Sequence, residues 1–314
     1  MEDQEALLTP VQRGEVVRHR RMLNIAVLVA IGVVITCVGI VGHARTRTAG
    51  IGTTGLASVS KISFKHFPQI SNMSLPRMPG AHGTNSFMLD IGFSKVSDKE
   101  MVAGLYQLDA GPKLNYTYTY EEFKLIIDGE FHLTDGTGQK VIAKKGDLMY
   151  FPRGTNVLFD APVSALGYYI GQRVSPDSSV KIDAAVRAAI ASNPAMKHYP
   201  QIAAKSKLAG IPLLHNVDGS KSYLEDIGFS TVAHREMTSG LYHELAGPTL
   251  HYTYTYEEMK YIVDGEFHLT DGTGQKVIAK KGDLTYFPRG VQVDFETPVF
   301  ALGFYCGQRK GGTA

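Results

Sequence analysis

The sequence predicts an all-β protein, two jelly-roll barrels in tandem behind one N-terminal transmembrane helix, and three observations carry that prediction. Residues 22–42 are apolar and uncharged; the chain repeats itself at an offset of 136, with Glu122 falling on Glu258 and Gly129 on Gly265; and each copy is a run of short strands parted by glycine turns. Composition agrees. The 314 residues are 44% hydrophobic and 20% charged, the balance of a chain that buries a core. With 32 Lys and Arg against 30 Asp and Glu, the net charge of +2 argues for no nucleic-acid partner. Cys37 and Cys306 are too few for a disulfide framework or a cysteine zinc site, and Cys37 sits inside the apolar run.

A short tail, residues 1–21, precedes the run 22–42, which is long enough at 1.5 Å per residue to span a hydrocarbon layer of roughly 30 Å. Arg13, Arg18, Arg20 and Arg21 come before it, and only Arg45 and Arg47 follow closely. That bias predicts a single-pass membrane protein with a cytoplasmic N-terminus and a luminal or extracellular body. A cleaved signal peptide ending at Gly42-His43-Ala44 is the alternative, but the apolar run exceeds the usual signal core. On such a chain Asn72-Met73-Ser74 is a glycosylation acceptor, whereas Asn115-Tyr116-Thr117 falls within a strand.

A Ser/Gly/Thr-rich linker, 43–75, leads into the first barrel at 76–174; a helical linker, 175–210, leads into the second at 211–310. Residues 116–148 and 252–284 differ only at Phe123/Met259, Leu125/Tyr261 and Ile127/Val263, while 86–115 and 222–251 share barely more than half their positions. Between the copies Val180 to Ser192 is alanine-rich with apolar residues at helical spacing, stopped by Asn193-Pro194, and reads as a bridging helix. In the first copy strands are expected at 115–120, 124–127, 130–133, 140–143, 148–151, 157–159 and 165–170, with turns at Asp128-Gly129, Asp135–Gly138, Lys145–Asp147 and Pro152–Gly154.

That punctuation is recognisable. Glu122 and Gly129, then Gly146, Pro152 and Gly154, recur as Glu258, Gly265, Gly282, Pro288 and Gly290, and this is the skeleton of the two cupin motifs. The match covers 80–174 and 216–309, so the body resembles a duplicated cupin, or bicupin, whose units are most similar to the EutQ-type cupins of ethanolamine utilisation. The resemblance implies a divalent metal held by His-x-His, a Glu, and a later His after the Pro-x-Gly. Here the chain departs from the pattern. Counted one way the two histidines become Tyr116 and Tyr118, or Tyr252 and Tyr254; counted the other way, Asn115 and Thr117, or His251 and Thr253. The third becomes Val157 or Val293, which bind no cation. No cofactor is therefore certain, and a divalent ion has its best chance in the second barrel, where His251 and Glu258, with Tyr254, offer ligands.

Three tyrosines two apart in Tyr-x-Tyr-x-Tyr-Glu-Glu share one face of a strand. If that face is the barrel interior, its mouth is lined by phenols and one carboxylate, a surface suited to a small polar metabolite. Ordinary strand packing of an alternating Tyr/Thr run is the competing explanation. The candidate catalytic residues are Glu122, Tyr116 and Tyr118 in the first barrel and Glu258, Tyr252 and Tyr254 in the second. There the glutamate serves as general base and a tyrosine as acid, in isomerase, epimerase or lyase chemistry. Asn115, Tyr120, His251 and Tyr256 are candidate ligand contacts, and Arg153 and Arg289 stand where they could meet an anion at the rim. His132 and His268 alternate away from the apolar Phe131/Leu133 face and are expected at the surface. A binding or dimerising module without turnover is the alternative function, and the expected partners are a small ligand, the membrane and, through the sheets, a second copy.

Overall fold

The computed structural model describes residues 62–94, 96–97, 100–173, 182–206, 219–230 and 232–313. The tail, the run 22–42 and its flanking arginines lie outside the described residues, among which no helix is long and apolar enough to cross a membrane.

In chain order a short strand β1 (Lys65–Phe67) precedes the first barrel. That barrel comprises β2 (Ser86–Phe93), β3 (Val102–Asp109), β4 (Leu114–Thr117), β5 (Glu122–Asp135), β6 (Lys140–Lys144), β7 (Leu148–Phe151), β8 (Asn156–Asp160) and β9 (Ser164–Gly171). Helix α1 (Ala184–Ser192) and β10 (Lys197–Tyr199) follow. The second barrel repeats the set as β11 (Ser222–Phe229), β12 (Thr238–Leu245), β13 (Leu250–Thr253), β14 (Glu258–Asp271), β15 (Lys276–Lys280), β16 (Leu284–Phe287), β17 (Gln292–Glu296) and β18 (Phe300–Gly307). Each barrel folds one long strand into two antiparallel sheets. The first half of β5 lies between β7 and β9 in the order β10-β7-β5-β9-β3-β2, and its second half pairs with β6 and β8. The register slips between Ile126 and Asp128, where the strand bends. Gly129 follows at φ 64°, and a Cβ there would lie 2.0 Å from the Ser164 carbonyl oxygen, so the bend admits only glycine. Gly265 repeats this at φ 69°.

Helix α1 begins where Asp183 accepts from the Val186 N–H at 2.8 Å and ends at Asn193, in the left-handed region at φ 42°. It is shorter than Val180–Ser192, and residues 180–181 lie outside the described set.

Alternation along β5 decides what each face does. Phe123 and Leu125 point out of the barrel and meet Met259 and Tyr261 of β14 in a shared core with Tyr150, Tyr168, Leu284, Phe304 and Cys306, which holds the barrels together. Tyr168 stacks on Tyr261 at 5.0 Å between centroids. All three substitutions in the otherwise identical block fall on this face, Ile127 and Val263 packing against the same core. Two copies of one surface meet here, and a large side chain on one copy needs a different partner on the other.

Residues 65–72, which the sequence reading gives to the linker, instead complete the second barrel. β1 pairs with β16, and β10 pairs with β7 of the first barrel, so each barrel is finished by the segment that precedes its sister. His66 and His198 bond Asp283 and Asp147 at 2.7 and 2.8 Å. Gln69 and Gln201, at φ 48° and 51°, give the same aspartates both a backbone N–H and a side-chain amide. Behind them Ile70 and Ile202 are buried in the shared core.

Candidate functional site

The tyrosine run leaves β4, crosses a tight connection and enters β5. The Tyr118 N–H donates to Thr155 O and the Gly154 N–H donates to Tyr118 O, which pins the connection to the Pro-Arg-Gly turn. With the backbone fixed, Tyr118 and Tyr120 turn into the barrel and are buried, while Tyr116 stands half-buried at the mouth. The Tyr118 ring lies parallel to Phe151 at 4.6 Å, and its hydroxyl donates to Glu122 Oε1 at 3.0 Å. Tyr120 donates to Oε2 at 3.4 Å, and the Tyr116 and Tyr120 hydroxyls are 3.1 Å apart.

The group that completes the site is a lysine. Lys124 Nζ lies 3.0 Å from Glu122 Oε1 and 3.5 Å from the Tyr118 hydroxyl, buried like its partner. Tyr106, Phe159, Phe151 and Tyr169 surround the ammonium at 4.5, 5.2, 5.5 and 5.9 Å, ring faces that favour a cation. Space for its stem exists because residue 167 is glycine: a Cβ there would sit 2.8 Å from Lys124 Cγ. Sequence reasoning passed over Lys124 inside an apolar run. Its position two residues after Glu122, on the same strand face, was the available signal.

The second barrel repeats the cluster. Tyr254 donates to Glu258 Oε1 at 3.1 Å, Lys260 Nζ lies 3.2 Å from the same oxygen, and the Tyr252 and Tyr256 hydroxyls are 3.1 Å apart. Tyr242, Phe295, Phe287 and Phe267 surround Lys260 at 4.2, 4.9, 5.3 and 5.9 Å. Burial pulls the Lys260 ammonium below its ordinary value, against the attraction of Glu258. Burial likewise pushes the Tyr118 and Tyr254 phenols well above theirs, reinforced by the adjacent glutamates, so both are neutral donors at neutral pH. Behind each cluster an arginine and an aspartate brace a further tyrosine: Arg173 and Asp90 beside Tyr169, Arg309 and Asp226 beside Tyr305. Each lining encloses a cavity of about 20 Å³, room for a guest on the scale of a water molecule unless side chains move.

The other sequence candidates fall elsewhere. Asn115 and His251 face outward, one strand position out of phase with the tyrosines. Asn115 accepts from Asn156, and His251, its side chain 74% exposed, bonds Asp294 at 2.6 Å. A metal centre combining His251 with Tyr254 and Glu258 is therefore corrected by strand alternation, since 251 and 254 have opposite parity. Val157 and Val293 are buried in apolar core. Among the described residues no three His, Cys, Asp or Glu side chains are grouped to hold an ion. The donor set does not fit the metal that cupin-type barrels imply, because one carboxylate and neutral phenols surround a resident ammonium. Arg153 and Arg289 line neither cavity; their backbone N–H groups donate to Glu121 and Glu257 on the outer side of the run. His132 and His268 lie on the outer sheet face, bonded to Glu130 and Glu266 at 2.9 Å.

A double barrel of jelly-roll sheets with this interior is of the cupin class. The family model described as ethanolamine utilisation protein EutQ matches residues 61–173 and 221–307, well over half the chain, and the chain belongs to that family as a duplicated member. It is 29% identical over 100 residues to the acetate kinase EutQ of Salmonella typhimurium, covering 32% of this chain and 42% of that protein. It is 26% identical over 121 residues to the acetate kinase EutQ of Clostridioides difficile, covering 35% of this chain and 75% of that one. Against the first of these the chain spans less than half the relative's length. Among solved structures, a cupin 2 conserved barrel domain protein from Leptotrichia buccalis matches 79% of this chain and 99% of its own at a TM-score of 0.53 and 12% identity, a likeness of fold alone.

Proposed function

We propose that each barrel is a metal-independent site for a small polar metabolite. Glu122 or Glu258 moves a proton on it, while the neighbouring lysine and tyrosine hold the oxygen that gathers charge, in chemistry of the isomerase, epimerase or lyase class. One observation carries the reading: in both barrels a buried ammonium, paired to a buried carboxylate, faces a phenol-lined cavity. A purely structural core gains little from such a pair, because well-packed apolar side chains of the same volume are commonly as stable. The EutQ relatives are named acetate kinases, so small carboxylates and their carbonyl analogues form the proposed substrate class, which cavities of about 20 Å³ admit only as lining side chains move. The chain is further proposed to be anchored through 22–42 with its barrels luminal or extracellular and Asn72, which is exposed, glycosylated. Protease protection of the barrels in sealed vesicles tests that topology.

Binding without turnover is the second reading, favoured by the small size of the cavities. Both readings predict that acetate or another small acid, amine or aldehyde raises the melting temperature, that a chelator leaves the effect intact, and that Lys124→Met combined with Lys260→Met removes it. Loss of the effect on chelation would refute metal independence. Appearance of product separates turnover from binding.

A further inference from the structure

We infer that Lys124 and Lys260 are covalent partners of the guest: each forms an imine with a small neutral aldehyde, its glutamate shuttling the proton. The inference rests on the pocket reading above and changes the lysine from a standing charge into a nucleophile. Each Nζ sits within contact of a carboxylate, 3.0 Å in one barrel and 3.2 Å in the other, and lines a cavity whose mouth is a half-buried tyrosine, Tyr116 or Tyr252. Burial removes the water that stabilises an ammonium and so opposes the rings and the glutamate, which favour the cation; at Lys260 burial is the larger influence. The lowered proton affinity of Lys260 agrees.

The steps balance. The ammonium gives a proton to the adjacent carboxylate, and the free amine attacks the carbonyl carbon. The resulting zwitterion passes a proton from nitrogen to oxygen, giving a neutral carbinolamine. Its hydroxyl then takes the proton back from the carboxylic acid and leaves as water, so that aldehyde plus ammonium becomes iminium plus water. The phenol of Tyr118 or Tyr254, a neutral donor to the glutamate, lies 3.5 Å from the same nitrogen and stands where the carbinolamine oxygen develops. Each cavity of about 20 Å³ admits only the smallest aldehydes, and these only as lining side chains such as Tyr116 or Tyr252 move aside.

The test uses the full chain, acetaldehyde at low molar excess and cyanoborohydride, which reduces an imine to a stable ethylamine that peptide mass spectrometry locates. Lys124 and Lys260 are expected to be modified ahead of Lys145 and Lys281, whose side chains are 71% and 69% exposed. Glu258→Gln is expected to slow trapping at Lys260 roughly a hundredfold and leave Lys124 unchanged, and Glu122→Gln to do the reverse. In each variant the untouched barrel reports that the protein is folded. Modification confined to exposed lysines, or trapping at Lys260 indifferent to Glu258→Gln, overturns the inference. Acetate stabilisation that persists in that event leaves the pocket reading standing, whereas loss of both removes the pocket reading as well.

Discussion

The two barrels carry one Tyr–Glu–Lys lining in front of different walls. Where β3 of the first barrel buries Leu108, β12 of the second buries Glu244, which accepts from Tyr242 at 3.3 Å. Tyr242 is also the ring nearest Lys260. The second barrel thus holds a second carboxyl behind its ammonium, and burial raises Glu244 from an ordinary 4.5 to about 7, Lys260 pulling the other way. The comparison separates what the shared lining requires from what one copy adds. An aliphatic residue serves one barrel in the place where the other spends a carboxyl, so packing alone does not require Glu244.

The largest effect expected is common to both barrels. Lys124→Met or Lys260→Met leaves a glutamate buried without its cation and should lower stability by about 3–5 kcal/mol, as removal of one partner of a buried pair does. Pairing each with the glutamate-to-glutamine change in its own barrel should recover a good part of the loss. Urea denaturation of the singles and doubles measures the coupling, and a coupling near zero would mean that the ion pairs contribute nothing. The next effect breaks the symmetry. Glu244 binds its proton more tightly folded than unfolded, so between pH 4.5 and about 7 the unfolded chain releases it first and stability falls as pH rises, by up to about 3 kcal/mol, then levels above 7. Glu244→Leu, the residue of the first barrel, should flatten that slope; an unchanged slope would assign the dependence to another group.

The contrast also shows which parts of the molecule could be read from the chain. Tandem barrels were legible because turn geometry is written in single residues: Gly129 and Gly265 occupy a bend that a Cβ would block, and the repeat prints each such residue twice. The face of the tyrosine run was not legible. Tyr and Thr are both good strand residues on either side of a sheet, and only Phe151 stacked on Tyr118, with the backbone bonds to Thr155 and Gly154, chooses the register. Lys124 was hidden by the habit of placing lysine in water, although Gly167 makes its room from across the sheet. The crossing arms escaped because Lys65–Ile70 matches Lys197–Ile202 at an offset of 132, out of step with the barrels at 136, and because only a tertiary contact reveals which barrel a three-residue strand joins.

Asymmetry between the barrels is also structural at their junction. Leu125 and Tyr261 hold equivalent positions, and Tyr261 stacks on Tyr168. Leu125→Tyr would place a second ring beside Tyr261, where both residues border a cavity of about 190 Å³, and should cost up to about 1–3 kcal/mol to the extent that the ring packs into the core rather than into that space. Tyr261→Leu added to it reverses the inequality and should restore part of the loss, read as a shift in the denaturation midpoint. Absence of any recovery would show that the junction distinguishes the barrels by more than the volume at this pair.

The smallest effect sharpens the comparison on the outer surface, where the first barrel pairs Asn115 with Asn156 and the second pairs His251 with Asp294. An exposed polar contact of this kind contributes at most about 1 kcal/mol, because water competes for it and two side chains must be held. His251→Ala should therefore lower stability by less than that. Since the ring points away from Glu258, the variant should also leave acetate stabilisation and aldehyde trapping at Lys260 as they are. Lys260→Met in the same background should abolish the second-barrel signal. A His251→Ala variant that lost the pocket response while keeping its fold would return the histidine to the interior, reverse the register assigned to β13, and with it the claim that both barrels work through the same tyrosines, glutamate and lysine.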